Sequence, residues 1–390
     1  MKQTEVAIIG GGLAGSLAGA MLARAGIDAT VIDPHAEYPD DFRCEKLDPV
    51  QLRFLAATGL ADPVLRNSTP DADAWIARRG RLIERRPGDQ RGILYDRLVN
   101  TVRAEIPAGR LHVGKVTDIA VGPDRQTVTI SDGTVVESRL VILATGLNHG
   151  LRERLGVTRE VISPNHSVSV GFDVVPPPGK RFPFDSLTYF AERTADNLAY
   201  ITFFPVGQTM RANLFGYRNI DDPWLKALRD EPLATLTAMW PRLRGVMGDF
   251  SVDGPVKIRP VDLYVTHDYV GDGLVLVGDA FATSCPAAGT GARKVLVDVE
   301  RLCNVYIPHW LATPGMDATK ITSFYDDPVK VACDRQCREM AFALRQFSTN
   351  TSLRWAGERW GKFALQAGRG VLRRLGALPD RSPPHLAPAE

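Results

Sequence analysis

Three glycines near the start of the chain have the spacing of a phosphate-binding turn. In order, the turn reads Gly10-Gly11-Gly12-Leu13-Ala14-Gly15, a match to G-x-G-x-x-G. In such a turn Gly10 permits the tight bend, Gly12 lets a pyrophosphate approach the backbone, and Gly15 lets the following helix pack closely. Asp33 follows about 20 positions later, where a carboxylate can accept a hydrogen bond from a ribose hydroxyl. These residue types predict binding of a dinucleotide.

The elements around the glycines decide whether the turn is a binding site, because the pattern alone is weak in a chain with 35 glycines. Residues 6–9 are apolar and β-branched, which predicts a buried parallel strand. Residues 16–25 suit a helix that ends at Gly26, and residues 29–32 suit a second strand that ends on Asp33. The glycines therefore open the helix of a βαβ unit, where its N-terminus attracts phosphate.

A second group of chemistry-bearing residues follows another apolar strand far along the chain. Residues 274–277 predict a buried strand that runs directly into Gly278 and Asp279. Pro286, Gly289 and Gly291 come next and open a helix predicted at residues 292–302. A polar strand end followed by a Pro/Gly-rich helix start is typical of ligand binding at the carboxyl edge of a parallel sheet.

Composition excludes several other classes of protein. The 390 residues are 44% hydrophobic and 24% charged with a formal net charge of +2, which gives no support to a nucleic-acid or membrane-surface partner. Five cysteines without metal-ligand spacing predict no metal site and reduced thiols in the cytoplasm. We expect neither a signal peptide nor a transmembrane segment.

Together these features resemble the FAD-dependent monooxygenase superfamily with the para-hydroxybenzoate hydroxylase fold, over about residues 5–327. The resemblance implies that FAD is bound by Gly10, Gly12, Leu13, Ala14, Gly15, Asp33, Arg43, Gly146, Asp279, Pro286, Gly289 and Gly291. It places Arg43 near the ribityl chain and pyrophosphate, Asp279 on a ribityl hydroxyl, and residues 286–291 beside the isoalloxazine.

The middle motif departs from the family. After a strand predicted at residues 140–143, Thr145 stands where the hydroxylases have Asp, and His149 stands where they have Ser, whereas Gly146 and Arg152 match. In the family that Asp supports both FAD and nicotinamide binding, so the electron donor stays open between NAD(P)H and a separate reductase. An Ala-Thr-Gly strand end is also found in flavin-dependent halogenases and geranylgeranyl-type reductases, but the halogenase signature W-x-W-x-I-P is absent.

The predicted fold class is α/β. A Rossmann-like FAD-binding domain of the glutathione-reductase type takes residues 1–156 and 259–320, and a mixed or antiparallel substrate-binding sheet is inserted at 157–258. Residues 168–174 alternate with period two, residues 199–204 and 211–217 suit a hairpin, and 222–240 suit a helix. Residues 321–378 form a helical region, and 379–390, with four prolines, form a disordered tail.

The arginines of the C-terminal helices indicate either an anion or membrane patch or a solvated helix face, and interspersed acidic residues favour the latter. Cys333 and Cys337 lie one helical turn apart, where they could pair, bind metal or stay inert, and inert thiols are the favoured interpretation.

The resemblance implies a hydroxylase that inserts oxygen from a flavin C4a-hydroperoxide into an aromatic or polycyclic small molecule. Two alternatives stay open, which are an FAD-dependent reductase, saturase or halogenase-like enzyme, and a non-enzymatic flavin-binding protein. The nearest titratable candidates for catalysis are Lys46 and His149, and we hypothesise that His149 lies near the FAD pyrophosphate. Cys285 precedes Pro286, but nothing near it in sequence would lower its pKa enough for a covalent role.

Overall fold

Strands and helices alternate in the first part of the chain, and a large antiparallel sheet follows. The structure is a computed structural model and describes residues 2–374. The strands are β1 Lys2–Gln3, β2 Val6–Ile9, β3 Ala29–Asp33, β4 Lys46–Leu47, β5 Thr69–Pro70, β6 Asp73–Arg78, β7 Arg81–Pro87, β8 Arg91–Gly92, β9 Leu111–Val113, β10 Val116–Ala120, β11 Gln126–Ile130, β12 Val135–Ser138, β13 Leu140–Leu143, β14 Thr158–Val175, β15 Ser186–Phe190, β16 Leu198–Val206, β17 Thr209–Gly216, β18 Ser251–His267 and β19 Leu274–Leu276. The α-helices are α1 Leu13–Arg24, α2 Pro49–Ala57, α3 Ala61–Arg66, α4 Tyr95–Arg103, α5 Gly150–Arg154, α6 Pro223–Asp230, α7 Pro232–Met239, α8 Arg244–Met247, α9 Gly291–Arg301, α10 Ile307–Leu311, α11 Ala318–Tyr325, α12 Pro328–Thr349 and α13 Leu353–Arg374.

A five-stranded parallel sheet in the order β19-β13-β2-β3-β9 positions the predicted ligand-binding strand ends. Every residue of β2, β13 and β19 is buried, as expected for strands covered on both faces. The strands predicted at residues 6–9, 29–32, 140–143 and 274–277 all belong to this sheet. Because parallel strands end at one edge, Gly10, Asp33 and Gly278 are brought to the same edge of the sheet.

Helix α1 begins directly after the glycine turn and is buried along most of its length. It starts at Leu13, three residues before the predicted start, and ends at Arg24. Gly26 then has a φ of 74°, in the left-handed region that glycine adopts without steric penalty. The predicted βαβ unit is therefore confirmed, with an earlier helix start.

A seven-stranded sheet, β18-β14-β17-β16-β15-β6-β7, forms the second layer and is called the roof sheet below. Its pairs are antiparallel except for β15 with β6. The alternating Val168, Val170, Phe172 and Val174 of β14 are fully buried in one core with Trp240, and the hairpin β16–β17 is as predicted. The roof sheet is not confined to residues 157–258, because β6 and β7 come from residues 73–87 and β18 continues to His267.

A proline accounts for one wrong helix prediction, and another proline begins a helix of the C-terminal region. The single helix expected over residues 222–240 is two helices, α6 and α7, because Pro232 has no N–H to continue the first one. The C-terminal helical region divides into α11, α12 and α13, and Pro328 opens α12.

The C-terminal helices carry a mixed surface. Arg335, Arg338, Arg354 and Arg369 are exposed, whereas Arg359 is buried and donates to the carbonyls of Phe347 and Asn350. None of the helices in residues 2–374 combines the length and the apolar content that a membrane crossing requires. The tail predicted as disordered, 379–390, lies outside the described residues.

Candidate functional site

The glycine turn is held from two sides by side chains that are distant in sequence. Asp33 accepts the N–H of Gly11 at 2.6 Å, and the guanidinium of Arg103 lies 3.0 Å from the same carboxylate. Arg103 also donates to the carbonyl of Gly11 from Nη2 at 2.6 Å and to that of His35 at 2.7 Å. Both side chains are buried, so contacts within the protein hold the turn in this conformation. Sequence reasoning missed Arg103, which ends helix α4 and carries no motif.

Two adjoining cavities open at the carboxyl edge of the parallel sheet. The long cavity has a volume of about 540 Å³, and the predicted residues that line it are Gly10, Gly12, Leu13, Ala14, Asp33, Arg43, Gly146 and Asp279. The inner cavity, about 200 Å³, runs under the roof sheet, and the predicted residues that line it are Leu13, Lys46, Arg43, Asp279, Pro286, Gly289 and Gly291. The cavities meet where their linings share residues, among them Arg43 and Asp279. Gly15 lines neither cavity and instead packs against Gly10.

Arg43 connects the two predicted groups of binding residues. Its Nη1 lies 3.1 Å from Asp279 Oδ2 and its Nε lies 2.6 Å from Asp41 Oδ2. The guanidinium also lies over the ring of Tyr95, 5.8 Å from the centroid. A residue of the loop after β3 is thus fixed against the strand end after β19 at the junction of the cavities.

Asp279 is itself positioned by a buried ionic cluster. The N–H of the preceding Gly278 donates to Asp298 Oδ2 at 2.9 Å. Asp298 also contacts the ammonium groups of Lys294 and Lys330, each at 3.0 Å. Both lysines form a second ion pair with Asp334. Burial disfavours the charged form of Asp298, but the two ammonium groups hold its pKa below the usual value. Lys294 and Asp298 have a recognisable i,i+4 spacing, whereas Lys330 could not be linked to them from sequence.

The motif after β13 contributes backbone atoms of Thr145 and Gly146 and the buried Arg152 to the site, and no carboxylate. Gly146 has a φ of 58° and lines the long cavity beside Thr145. The buried Arg152 donates from Nη1 to the carbonyl of Ala280 at 2.7 Å and to Tyr264 Oη at 3.2 Å. The strand ends after β13 and β19 are therefore joined through Arg152.

The two titratable candidates occupy different places. Lys46 lines the inner cavity with its ammonium 5.4 Å from the ring centroid of Phe204. His149 is not among the residues that line either cavity; its ring contacts the guanidinium groups of Arg152 and Arg159 and the edge of Tyr264. Burial and these two arginines lower the pKa of His149, so the ring is neutral near pH 7. Lys46 therefore faces a cavity, whereas His149 packs among protein side chains.

His149→Ala is expected to leave FAD affinity within about threefold of wild type, which is under 1 kcal/mol. A neutral ring accepts a hydrogen bond at one nitrogen, so the free energy of unfolding should fall by only about 1 kcal/mol. Flavin titration and urea unfolding measure the two quantities. His267→Ala, which removes an exposed ring paired with Glu160, is the matched control. Loss of FAD from His149→Ala alone would support the hypothesis that His149 lies near the FAD pyrophosphate.

Three of the cysteines singled out in the sequence are buried free thiols. Cys285 is buried with its Sγ 3.5 Å from Ser167 Oγ, and burial raises the pKa of its thiol. Cys333 and Cys337 are buried free thiols with sulfurs 3.9 Å apart. Within residues 2–374 no group of three or more His, Cys, Asp or Glu side chains could hold a metal ion.

Comparison of the sequence with known proteins gives one family match and two similar enzymes. Residues 3–305 match the model of a family described as FAD binding domain. The chain is 27% identical to ubiquinone hydroxylase UbiL of Rhodospirillum rubrum, over 76% of this chain and 71% of that protein. It is 24% identical to 6-hydroxynicotinate 3-monooxygenase of Bordetella bronchiseptica, over 77% of this chain and 82% of that protein.

Among solved structures, the fold resembles p-nitrophenol 4-monooxygenase from Pseudomonas putida DLL-E4, with a TM-score of 0.72 and 16% identity. The match covers 98% of this chain and 100% of that one.

Proposed function

The chain belongs to the FAD binding domain family and is an FAD-dependent oxidoreductase, and from this premise we propose that it is a monooxygenase acting on a small planar molecule in the inner cavity. The observation that carries the proposal is the meeting of two cavities at Arg43 and Asp279. One cavity has the lining expected for a dinucleotide, and the other lies beneath the roof sheet.

The residues present fit FAD. Helix α1 starts at the long cavity and helix α9 starts at the inner cavity, and neither has a side-chain cap at its N-terminus. Uncapped helix N-termini offer N–H donors and a partial positive charge to anionic groups. At Gly12 an added Cβ would meet only Tyr38, at 3.9 Å, so the backbone there is open to the cavity.

Each part of the chain would have a definite task in this site. The glycine turn and the start of α1 would hold the pyrophosphate. Asp33 would accept a hydrogen bond from a ribose hydroxyl, and Asp279 would accept one from a ribityl hydroxyl. Residues 286–291 and the start of α9 would lie beside the isoalloxazine and favour negative charge there. Bound, reduced FAD would supply the two electrons that activate O2, so that one oxygen atom of O2 enters the substrate and the other leaves as water. The roof sheet would orient the substrate and exclude water from the inner cavity.

The expected result is oxygen uptake that is stimulated by substrate. We would load the purified protein with FAD, supply NADH, NADPH or a reductase in parallel, and screen aromatic compounds with an oxygen electrode. A monooxygenase forms hydroxylated product in step with oxygen consumed, and the most effective donor identifies the reductant that Thr145 leaves open.

The controls separate this function from its alternatives. Asp279→Ala, which removes the partner of Arg43 at the cavity junction, should abolish uptake, whereas the exposed Asp221→Ala should not. Turnover of an unsaturated substrate without oxygen would replace the proposal by a reductase. If the protein binds flavin but none of the screened compounds stimulates its oxygen uptake, the protein is a non-enzymatic flavin-binding protein and the proposal is wrong.

A further inference from the structure

The inner cavity contains one cation with no anionic partner. Within residues 2–374, Lys46 Nζ has no carboxylate within 4.0 Å and no hydrogen-bond acceptor, and its recorded partner is the ring of Phe204. The other cations of the lining are paired: Arg43 with Asp41 and Asp279, and Arg259 with Asp41.

The carboxylate of Glu45, next to Lys46 in sequence, is paired with an arginine. Glu45 is buried and accepts two hydrogen bonds from Arg211, at 2.8 and 2.9 Å. Asp71 accepts from the backbone of Gln90 and from Ser186, and Asp48 caps helix α2. Asp89 is paired with Arg86 at 3.8 Å. Asp48, Asp71 and Asp89 interact with Lys46 only through space, because none of these carboxylates lies within 4.0 Å of its ammonium.

Three neutral polar side chains of the roof sheet line the same cavity, and each has a buried oxygen without a hydrogen-bond partner within the described residues. They are Ser169 on β14, Thr202 on β16 and Asn213 on β17, each 5% exposed or less. Ser169 Oγ, Thr202 Oγ1 and Asn213 Oδ1 have no hydrogen-bond partner within the described chain. Thr202 and Asn213 are directly opposite each other across the strand pair. Buried polar atoms are normally paired, so these side chains indicate a polar ligand.

The remaining walls are apolar and aromatic, with Tyr200, Phe204, Phe215 and Val261 among them. A lysine ammonium in such surroundings is costly unless an opposite charge joins it. We propose that the inner cavity binds a substrate with an anionic oxygen on a flat apolar body, and that Lys46 is the residue that selects for this anion. The proposal rests on the proposed function and names the class of its substrate.

The side chain of Lys46 loses its proton at a lower pH than an ordinary lysine does. Burial lowers the pKa of Lys46 to about 8, against the raising effect of Asp71, Asp48 and Cys44, while Arg86 lowers it further. Lys46 is therefore charged below about pH 8 and neutral above it. Anion binding in the wild type should weaken as pH rises through that value, whereas an arginine at this position stays charged.

The test uses benzoate and benzamide, which have the same shape and differ in charge. Binding is followed by perturbation of the flavin absorbance spectrum of the FAD-loaded protein at pH 7. We expect Lys46→Met to raise the dissociation constant for benzoate by at least about 30-fold, as for truncation of one partner of a charged pair. Benzamide affinity and FAD content should stay unchanged. Lys226→Met, which removes an exposed lysine of helix α6 that lines neither cavity, is the control.

A second arm distinguishes the source of the anion. 2,4-Dinitrophenol, whose hydroxyl is ionised at pH 7, and 1,3-dinitrobenzene replace the first pair, so that an ionised hydroxyl is compared with a neutral ring. Tighter binding of benzoate indicates a carboxylate substrate, and tighter binding of the dinitrophenolate indicates an ionised hydroxyl. Lys46→Arg should retain affinity above pH 8, where the wild type loses it.

Several outcomes would overturn the proposal. Wild-type protein that prefers neither anion over its neutral counterpart excludes an anion site, and this result needs no variant. Equal losses of benzoate and benzamide in Lys46→Met would assign Lys46 a purely structural role. A wild-type protein that takes up no FAD would instead refute the proposed function, so the two failures are distinguishable.

Discussion

Gly15→Ala is expected to give a protein that folds with a displaced glycine turn and loses FAD. A Cβ at residue 15 would lie 1.8 Å from the carbonyl oxygen of Gly10 and 3.3 Å from Ala144 Cβ. The first contact is with backbone, so no side-chain rotation relieves it. Helix α1 must move away from the turn by more than 1 Å, which carries its N-terminal N–H groups away from the pyrophosphate position.

The expected size of this effect follows from the hydrogen bonds that are lost. Two charge-assisted hydrogen bonds are worth about 3 kcal/mol or more together, so FAD affinity should fall by at least about 100-fold. Overpacking should also lower the free energy of unfolding by about 1–3 kcal/mol. Flavin fluorescence titration and urea unfolding give both values.

Gly357→Ala provides the control for a glycine-to-alanine change within a helix. Nothing lies within 4 Å of a Cβ at residue 357, so this variant should keep its FAD and gain up to about 1 kcal/mol of stability. Normal FAD affinity in Gly15→Ala would mean that the turn does not hold the cofactor.

Asp298→Asn is expected to destabilise the fold more than any surface change. The amide can still accept from the N–H of Gly278, but Lys294 and Lys330 would keep only Asp334 as their acidic partner. Both lysines are at most 3% exposed. Removing one partner of a buried ionic cluster costs about 3–5 kcal/mol, a large part of the stability of an ordinary domain.

Urea unfolding with and without FAD measures this effect. The strand end at Gly278 and Asp279 should loosen as well, so FAD should restore less stability to Asp298→Asn than to wild type. Glu358→Gln removes an exposed carboxylate 3.6 Å from Arg354 and should change the unfolding free energy by less than about 1 kcal/mol. Equal, small effects of both substitutions would show that the cluster is not needed for the fold.

Four of the five strands of the parallel sheet were predictable from sequence, because they are short, mostly apolar runs, and three of them are followed directly by glycine or aspartate. The fifth strand, β9, was not predicted. Residues 6–9, 29–32, 140–143 and 274–277 have no other plausible reading than buried strands, and the structure places all four in one sheet. The cavity linings likewise include the residues singled out by glycine spacing, apart from Gly15. Residues that line a cavity directly after a strand can therefore be identified from the sequence.

Contacts between distant side chains were not predictable. Arg103 reaches the glycine turn from α4, and Lys330 reaches Asp298 from α12. Neither residue type is rare on a helix surface, so only the folded arrangement distinguishes them from solvated charges. Lys46 and His149 were equivalent candidates in sequence for the same reason, and they separate only when the cavity walls are known.

The roof sheet has a consequence for how the chain is made. Its strands β6 and β7 leave the ribosome long before β14 to β18, and β15 can acquire its parallel neighbour only from that earlier segment. A fragment cut at residues 157–258 would expose one unpaired edge at β15 and shorten β18 at the other, which invites aggregation. The two layers are interleaved along the gene, so recombination or domain grafting at those boundaries would break a sheet rather than exchange a module.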